Sequence, residues 1–384
     1  MASSDAMEGT PEQGRPSAPT GDPSRRRPIG VGVVGLSASG GWGAAAHLPA
    51  MSAVGGFELR GLVASSSESA RAASDVHGAP AYGSTEELAR ADGIDLVVVT
   101  VKTPRHRELV LPALAAGKPV FCEWPLAVDL GEAEEMAHAA LGISTFVGLQ
   151  GRSSPTFRWL ADLVADGHLG DVLSVTVSAA TSEWGTPVDP GKLYTLDRDL
   201  GATMMSIALG HAIDSVSMVV GELQDVVATT ATRHPNVALA RSGQHVPMTA
   251  EDQIAISGNL PGGAVLSAHQ RGGVVSGVGF SMTIDGSEGT LQVTAPDHPH
   301  IAPVTVHAAR SGGRRVELTV PDGYDRFPRL ARSPIHTLTH AYAGIRDQLL
   351  GGRAGVPDFR DAVIRHRLMD AIRRSAATGR RVQP

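Results

Sequence analysis

The feature that most constrains this chain is an alternation that starts at Ile29. A short β-branched run is followed by a glycine-rich turn and an Ala-rich helical stretch, and the pattern then repeats. Such alternation builds parallel βαβ units, because parallel neighbours need a crossover long enough to hold a helix. Ile29 to Leu36 is the first expected strand, Gly43 to Ala53 its helix and Phe57 to Ala64 the second strand. Ser67 opens the next helix, and Ser84 with Glu87 matches a capping box ahead of the apolar strand Asp95 to Val101. Arg105 to Ala116 reads as a helix, Val120 to Glu123 as a strand, Asp129 as a helix cap and Thr145 to Leu149 as the last strand. Unbroken apolar runs such as Leu96 to Val99 suit strands buried on both faces.

Beyond Leu149 the texture changes. Ser153 to Ala165 and Met204 to Val220 read as helices, set among alternating segments at Val172–Ala179, Gln224–Ala231, Asp252–Ile256, Ala264–Gln270 and Phe280–Ile284. Strict alternation marks an antiparallel sheet with one open face. Asp358 to Ala377 closes the chain as a helix expected to pack back on the first domain. A chain of 384 residues exceeds the roughly 250–300 at which one core tends to split, so two domains are expected.

Composition excludes several classes. A net charge of -6 gives no electrostatic footprint for nucleic acid, and no apolar run is long enough to span a membrane. The single cysteine, Cys122, excludes an internal disulfide and suits a reducing compartment, so a cytoplasmic location is expected. Residues 1–28, rich in Ser, Pro, Gly and Ala, read as a disordered tail. Arg25 to Arg27 precede an apolar run in the manner of a twin-arginine signal, but that run is glycine-punctuated and matches the first strand. His47, His106 and His168 lack ligand-like spacing, and no metal site is expected.

Gly35, Ser37, Ala38 and Gly41, with Trp42 behind them, stand where a phosphate loop joins a first strand to its helix. The common dinucleotide fingerprint has glycine where Ser37 stands; serine is small and can donate its hydroxyl to a phosphate. At the end of the second strand Ser65 and Ser66 replace the acidic residue that usually binds the adenosine ribose. Neutral hydroxyls tolerate a 2′-phosphate, which favours NADP and leaves NAD open.

Three further segments resemble the glucose–fructose oxidoreductase/inositol dehydrogenase (Gfo/Idh/MocA) family. They are Thr100 to His106, Ala116 to Leu126 and Gly201 to Asp214, and with the first strand the likeness spans most of 29–382. It implies an α/β chain: a Rossmann dinucleotide-binding domain over 29–150, an α+β substrate and oligomerisation domain over 151–357 with a large, mostly antiparallel, open-faced sheet, and a C-terminal helix over 358–384. It also implies that Thr100, Lys102, Pro104, His106, Glu123, Trp124 and Gln150 lie near the cofactor, and that the sheet's open face pairs copies into a homo-oligomer. Trp124 stands where the family's EKP motif has lysine, and Ile207 where its third motif has aspartate. A subgroup that includes a yeast repressor of galactose genes shares the tryptophan.

His211 and Asp214, at i and i+3 of one helix, read either as an acid/base histidine with its orienter or as core residues satisfied locally. Trp124 reads either as a flat shield for the nicotinamide or as filler for a vacated pocket. Arg152 and Tyr194 are candidate substrate contacts, with surface packing as the alternative. The functional expectation is an NADP(H)-dependent oxidoreductase acting on a small polar substrate, sugar-like or with a carbonyl, enone or imine, through His211 and Trp124. The alternative is a nucleotide-binding regulator without turnover.

Overall fold

The computed structural model describes residues 27–185, 187–310, 313–353 and 355–384. Most of the expected tail lies outside these residues, but Arg27 belongs to the folded domain, its guanidinium paired with Asp95 at 2.7 Å.

The first domain carries β1 (Ile29–Val34), α1 (Leu48–Val54), β2 (Phe57–Val63), α2 (Ser67–His77), α3 (Thr85–Arg90), β3 (Leu96–Val99), α4 (His106–Ala115), β4 (Val120–Cys122), α5 (Leu130–Ala139) and β5 (Thr145–Val147). Its sheet is parallel in the order β2-β1-β3-β4-β5. β1, β3, β4 and β5 are buried along their whole length, as a doubly covered sheet requires. The order reverses between β1 and β3, and ligands of such sheets bind at that switch point, outside the carboxyl ends of the strands. The Ser84 hydroxyl accepts from Glu87 N–H as expected, but the Glu87 carboxylate turns to Gly83 N–H, so the capping box is half made.

The second domain begins with α6 (Pro155–Ala165) and β6 (Val172–Ala180), followed by α7 (Gly210–Val220), β7 (Val227–Ala231), the small hairpin β8 (Asn236–Ala238) and β9 (His245–Pro247), then β10 (Gln253–Asn259), β11 (Val265–Arg271), β12 (Gly279–Gly286), β13 (Gly289–Ala295), β14 (Thr305–Arg310) and β15 (Val316–Leu318). An eight-stranded sheet runs β15-β14-β13-β12-β6-β11-β10-β7, antiparallel except where β6 pairs β11 in parallel. One face packs on α6 and α7; the other leaves Thr176, Ser178, Val265, Ser267 and His269 exposed.

Two helices follow, α8 (His336–Leu349) and α9 (Phe359–Thr378). α8 lies within 151–357, yet its apolar face of Leu338, Ala341, Tyr342 and Ile345 is buried in the core of the first domain, against Val31, Phe121 and Phe146. The expected boundary at 357 is thus crossed, because that face of the parallel sheet needs a covering helix. α9 serves both domains. Phe359, Ala362 and Val363 join the core beneath α4 and α5, whereas Leu368, Met369, Ala371 and Ile372 join the core of the eight-stranded sheet. The same segment finishes both sheets at their edges: Val147 N–H of β5 donates to Pro357 O at 2.9 Å, and Val226, just before β7, exchanges backbone hydrogen bonds with Val382.

Candidate functional site

A cavity of about 430 Å³ opens at the β1/β3 switch point, lined by Gly35, Ser37, Ser65, Ser69, Lys102 and Arg105 among others. The loop after β1 can approach it because Gly35 holds a φ of 95° and a Cβ there would lie 2.6 Å from Val101 Cγ1. Gly43 lets the following helical turn rest on β3's loop, since a Cβ would come within 2.8 Å of Thr100 Oγ1. Thr100 and Pro104 line the cavity, whereas Ala38, Gly41 and Trp42 lie outside its lining, Ala38 half-buried in the loop and Trp42 36% exposed. The cavity lining carries two cations and no carboxylate. These residues fit a dinucleotide: backbone at the loop, hydroxyls at the end of β2, positive charge at the mouth.

Three expectations around this cavity need correction, for Ser37, Ser66 and His106. The Ser37 hydroxyl folds back on its own loop, accepting from Ser39 N–H at 3.2 Å. Ser66 is the N-cap of α2, its hydroxyl and Ser69 forming a reciprocal capping box, so the hydroxyls that line the cavity are Ser65 and Ser69. Ser69, at N3 of α2, carries no signature in the sequence because a capping box is marked by Glu or Gln at that position, not by serine. His106 is 1% exposed and staples two loops: Nδ1 lies 3.0 Å from Pro125 O and Nε2 lies 2.9 Å from Val101 O. It holds the cofactor-side loops without reaching the cavity, and burial lowers its pKa. Gln150 is 4% exposed, with Oε1 lacking a hydrogen-bond partner among the described residues.

Glu123 ends β4 with Oε1 3.0 Å from His47 Nε2, close enough for an ion pair though poorly aligned for a hydrogen bond. His47 Nδ1 in turn lies 2.7 Å from the Tyr342 hydroxyl. Through His47 these two contacts tie α8 to the Glu123 loop.

The Trp124–Pro125 bond is cis, the indole is 5% exposed, and its Nε1–H donates to Ser206 O at 2.7 Å. The ring also packs 4.8 Å from His366 and closes on Gly210, where a Cβ would lie 3.0 Å from Nε1. It fills the lysine position as a wedge between the first domain, α7 and α9. Ile207 is half-buried against the sheet core and offers no polar atom.

His211 remains. Its ring stacks on His300 with centroids 3.8 Å apart, and His298 lies 5.7 Å beyond. Burial drives His211 down to about 3 and His300 well below its ordinary value, so both are neutral near pH 7. The Nδ1 atoms of both rings lack hydrogen-bond partners among the described residues. His300 and His298 sit in the loop between β13 and β14, outside any motif, and only the fold brings them to α7. Tyr194 faces the first domain across the cleft, its ring 5.0 Å from Lys102 Nζ. Burial raises its phenol pKa.

Two family models match this chain. Residues 29–146 match the oxidoreductase family with an NAD-binding Rossmann fold (Gfo/Idh/MocA), and residues 155–295 match the C-terminal domain of Gal80p and its relatives. The chain joins a Gfo/Idh/MocA Rossmann domain to a Gal80-like domain. The dehydrogenase AclE of Aspergillus oryzae is 29% identical over 346 residues, covering 84% of this chain and 88% of its own. The galactose/lactose metabolism regulatory protein GAL80 of Saccharomyces cerevisiae is 30% identical over 267 residues, 64% of this chain and 61% of its own. A super-repressor mutant of Gal80p from the same yeast superposes with a TM-score of 0.83 at 25% identity, covering 93% of this chain and 98% of that one. A nicotinamide nucleotide is the cofactor class of this Rossmann domain.

In the Gal80-like domain Arg152 and Asp214 are not free for substrate. Arg152 Nε and Nη2 reach the Asp214 carboxylate at 3.0 and 2.9 Å, and Nη1 reaches Asp361 at 2.8 Å. Arg365, fully buried, adds Glu222 at 2.8 Å and Asp214 at 3.2 Å. Burial opposes the Arg152 charge, but Asp214 outweighs it and raises the pKa. The network clamps the interdomain turn to α7 and α9, so Asp214 fixes the back of α7 while His211 faces the cleft. Among the described residues no helix is long and apolar enough to cross a membrane.

Proposed function

We propose that the protein is an NADP(H)-dependent oxidoreductase that moves hydride between the nicotinamide and a small polar substrate bearing a carbonyl, enone or imine. The preference for NADP is supported by Ser65 and Ser69 beside Lys102 and Arg105, with no carboxylate in the lining. When bound, the nicotinamide would supply or take the hydride. The chain's own part is to orient and to hydrogen-bond: the neutral rings of His211 and His300 leave buried Nδ1 atoms that a polar ligand would satisfy. This is the observation that carries the reading.

A histidine held near 3 is a weak base, and Trp124 and Ile207 supply no other. Alcohol oxidation, which needs a base, is therefore disfavoured relative to transfer onto an already polarised double bond. NADPH absorbance followed against a panel of aldehydes, enones and imines tests this: turnover lost in His211→Gln supports it. Tight NADPH binding with no consumption across the panel overturns it.

That second outcome is what a regulator would give, and the Trp124 wedge favours that reading specifically, because it locks the former lysine position with a buried hydrogen bond. On either reading the open sheet face with Val265, Thr176 and Ser267 pairs with a second copy, which light scattering reads as a dimer or larger.

A further inference from the structure

The β15–α8 connection folds onto the first turns of α8. His336 and His340 are four residues apart, so both rings leave the same face of the helix. Each places Nε2 3.0 Å from one oxygen, Oδ1 of Asp325. That oxygen also accepts Phe327 N–H at 2.9 Å. A carboxylate offers about two lone-pair directions per oxygen, so three donors oversubscribe Oδ1, while Oδ2 accepts no hydrogen bond among the described residues. The side chains of Asp325, His336 and His340 are 19%, 14% and 6% exposed, and their candidate ligand atoms all lie within 4.8 Å of one another. Phe327 packs edge-on against His340 at 5.1 Å, which fixes the ring's orientation.

We propose that Asp325, His336 and His340 form a binding site for one divalent transition metal of the zinc class. Two imidazoles and one carboxylate are the donor set such ions favour. Bonds of about 2.0–2.2 Å in a tetrahedron put neighbouring ligand atoms about 3.3 Å apart, so the pairs now at 3.0 Å need open by only a few tenths of an ångström. Each ring would carry its single proton on Nδ1 and present Nε2 to the ion. A cavity of about 300 Å³ lined by Thr156, Asp325, Ser333 and His336 leaves the fourth position to water. The ion pins the irregular 321–335 segment to α8, whose other face carries Tyr342 and, through it, His47. This site is independent of the cofactor reading.

The test uses the full chain without a histidine tag, stripped with chelator and titrated with Co(II) and then Zn(II). One equivalent bound, with visible Co(II) bands of four- or five-coordinate N/O ligation and a raised thermal midpoint, is expected. Asp325→Asn, His336→Gln and His340→Gln should each weaken binding about 100-fold or more, whereas His298→Gln should leave it unchanged. No stoichiometric metal in the wild-type chain overturns the proposal without recourse to any variant. So does undiminished Co(II) binding in the His336→Gln/His340→Gln double variant, or loss of binding on His298→Gln.

Discussion

The cavity after β1 and the cleft around α7 sit in one molecule yet treat polar groups in opposite ways. Around the first, polar groups bond to neighbours on their own loop or helix turn and still line an open wall: Ser65, Ser69, Lys102 and Arg105, with Ser69 capped to Ser66 and Arg105 paired with Glu108. Around the second, they are consumed or silenced. Arg152 and Asp214 neutralise each other, Trp124 spends its N–H on Ser206, and burial strips His211 of its proton. The difference teaches that a Rossmann domain can keep its ligand while the neighbouring chemistry is rebuilt around it.

The comparison predicts that variants of the cleft change stability and leave nucleotide binding intact. The largest effect is expected for Asp214→Ala, which takes the one fully buried carboxylate from Arg365 and Arg152 and leaves them only the part-exposed Glu222 and Asp361. A loss of about 3–5 kcal/mol in chemical denaturation should appear, with NADPH affinity of the folded fraction unchanged. Next comes acid. His211 and His366 fall from 6.5 to about 3 on folding, so the unfolded chain takes up their protons first. Stability is full above about pH 6.5 and drains as pH falls towards 3; at pH 5 each histidine costs about 2 kcal/mol. His366→Gln should flatten that slope in a pH series of denaturation midpoints.

Trp124→Phe should cost about 1.5 kcal/mol, because the Ser206 carbonyl loses its donor while the ring packing persists. Unchanged stability would mean that the wedge is packing alone. The smallest effect tests the other region. Ser65→Asp should lower the preference for NADPH over NADH about tenfold, near 1.4 kcal/mol, in paired fluorescence titrations, with the denaturation midpoint untouched. An equal loss for both nucleotides would show that the mutation perturbs the loop itself.

The first region was legible because its signals are local. Strand, glycine turn and helix follow one another from Ile29, and each expected element is present with ends shifted by a few residues. The cleft was illegible because its partners are remote. Nothing near Asp214 announces Arg365, and His300 reaches His211 only through the β13–β14 loop. α8 was missed although Leu338, Ala341, Tyr342 and Ile345 have helical spacing. Its start carries the weak helix formers His336, Thr337 and Thr339, and Ile335 at the N-cap makes no side-chain hydrogen bond. β14 and β15 were missed because short polar-faced strands alternate too briefly to stand out, whereas β13, also missed, alternates Leu291, Val293 and Ala295 over a full seven residues and was legible.

The segment from Pro357 to Val382 seals an edge of each sheet, and α9 inserts one end into each core. During synthesis, then, neither half can finish before these last residues leave the ribosome. Until that moment β5 and β7 present open backbone and bare apolar faces to other chains, the state in which aggregation competes with folding. A message cut short before α9 should yield inclusion bodies rather than a half-sized nucleotide binder.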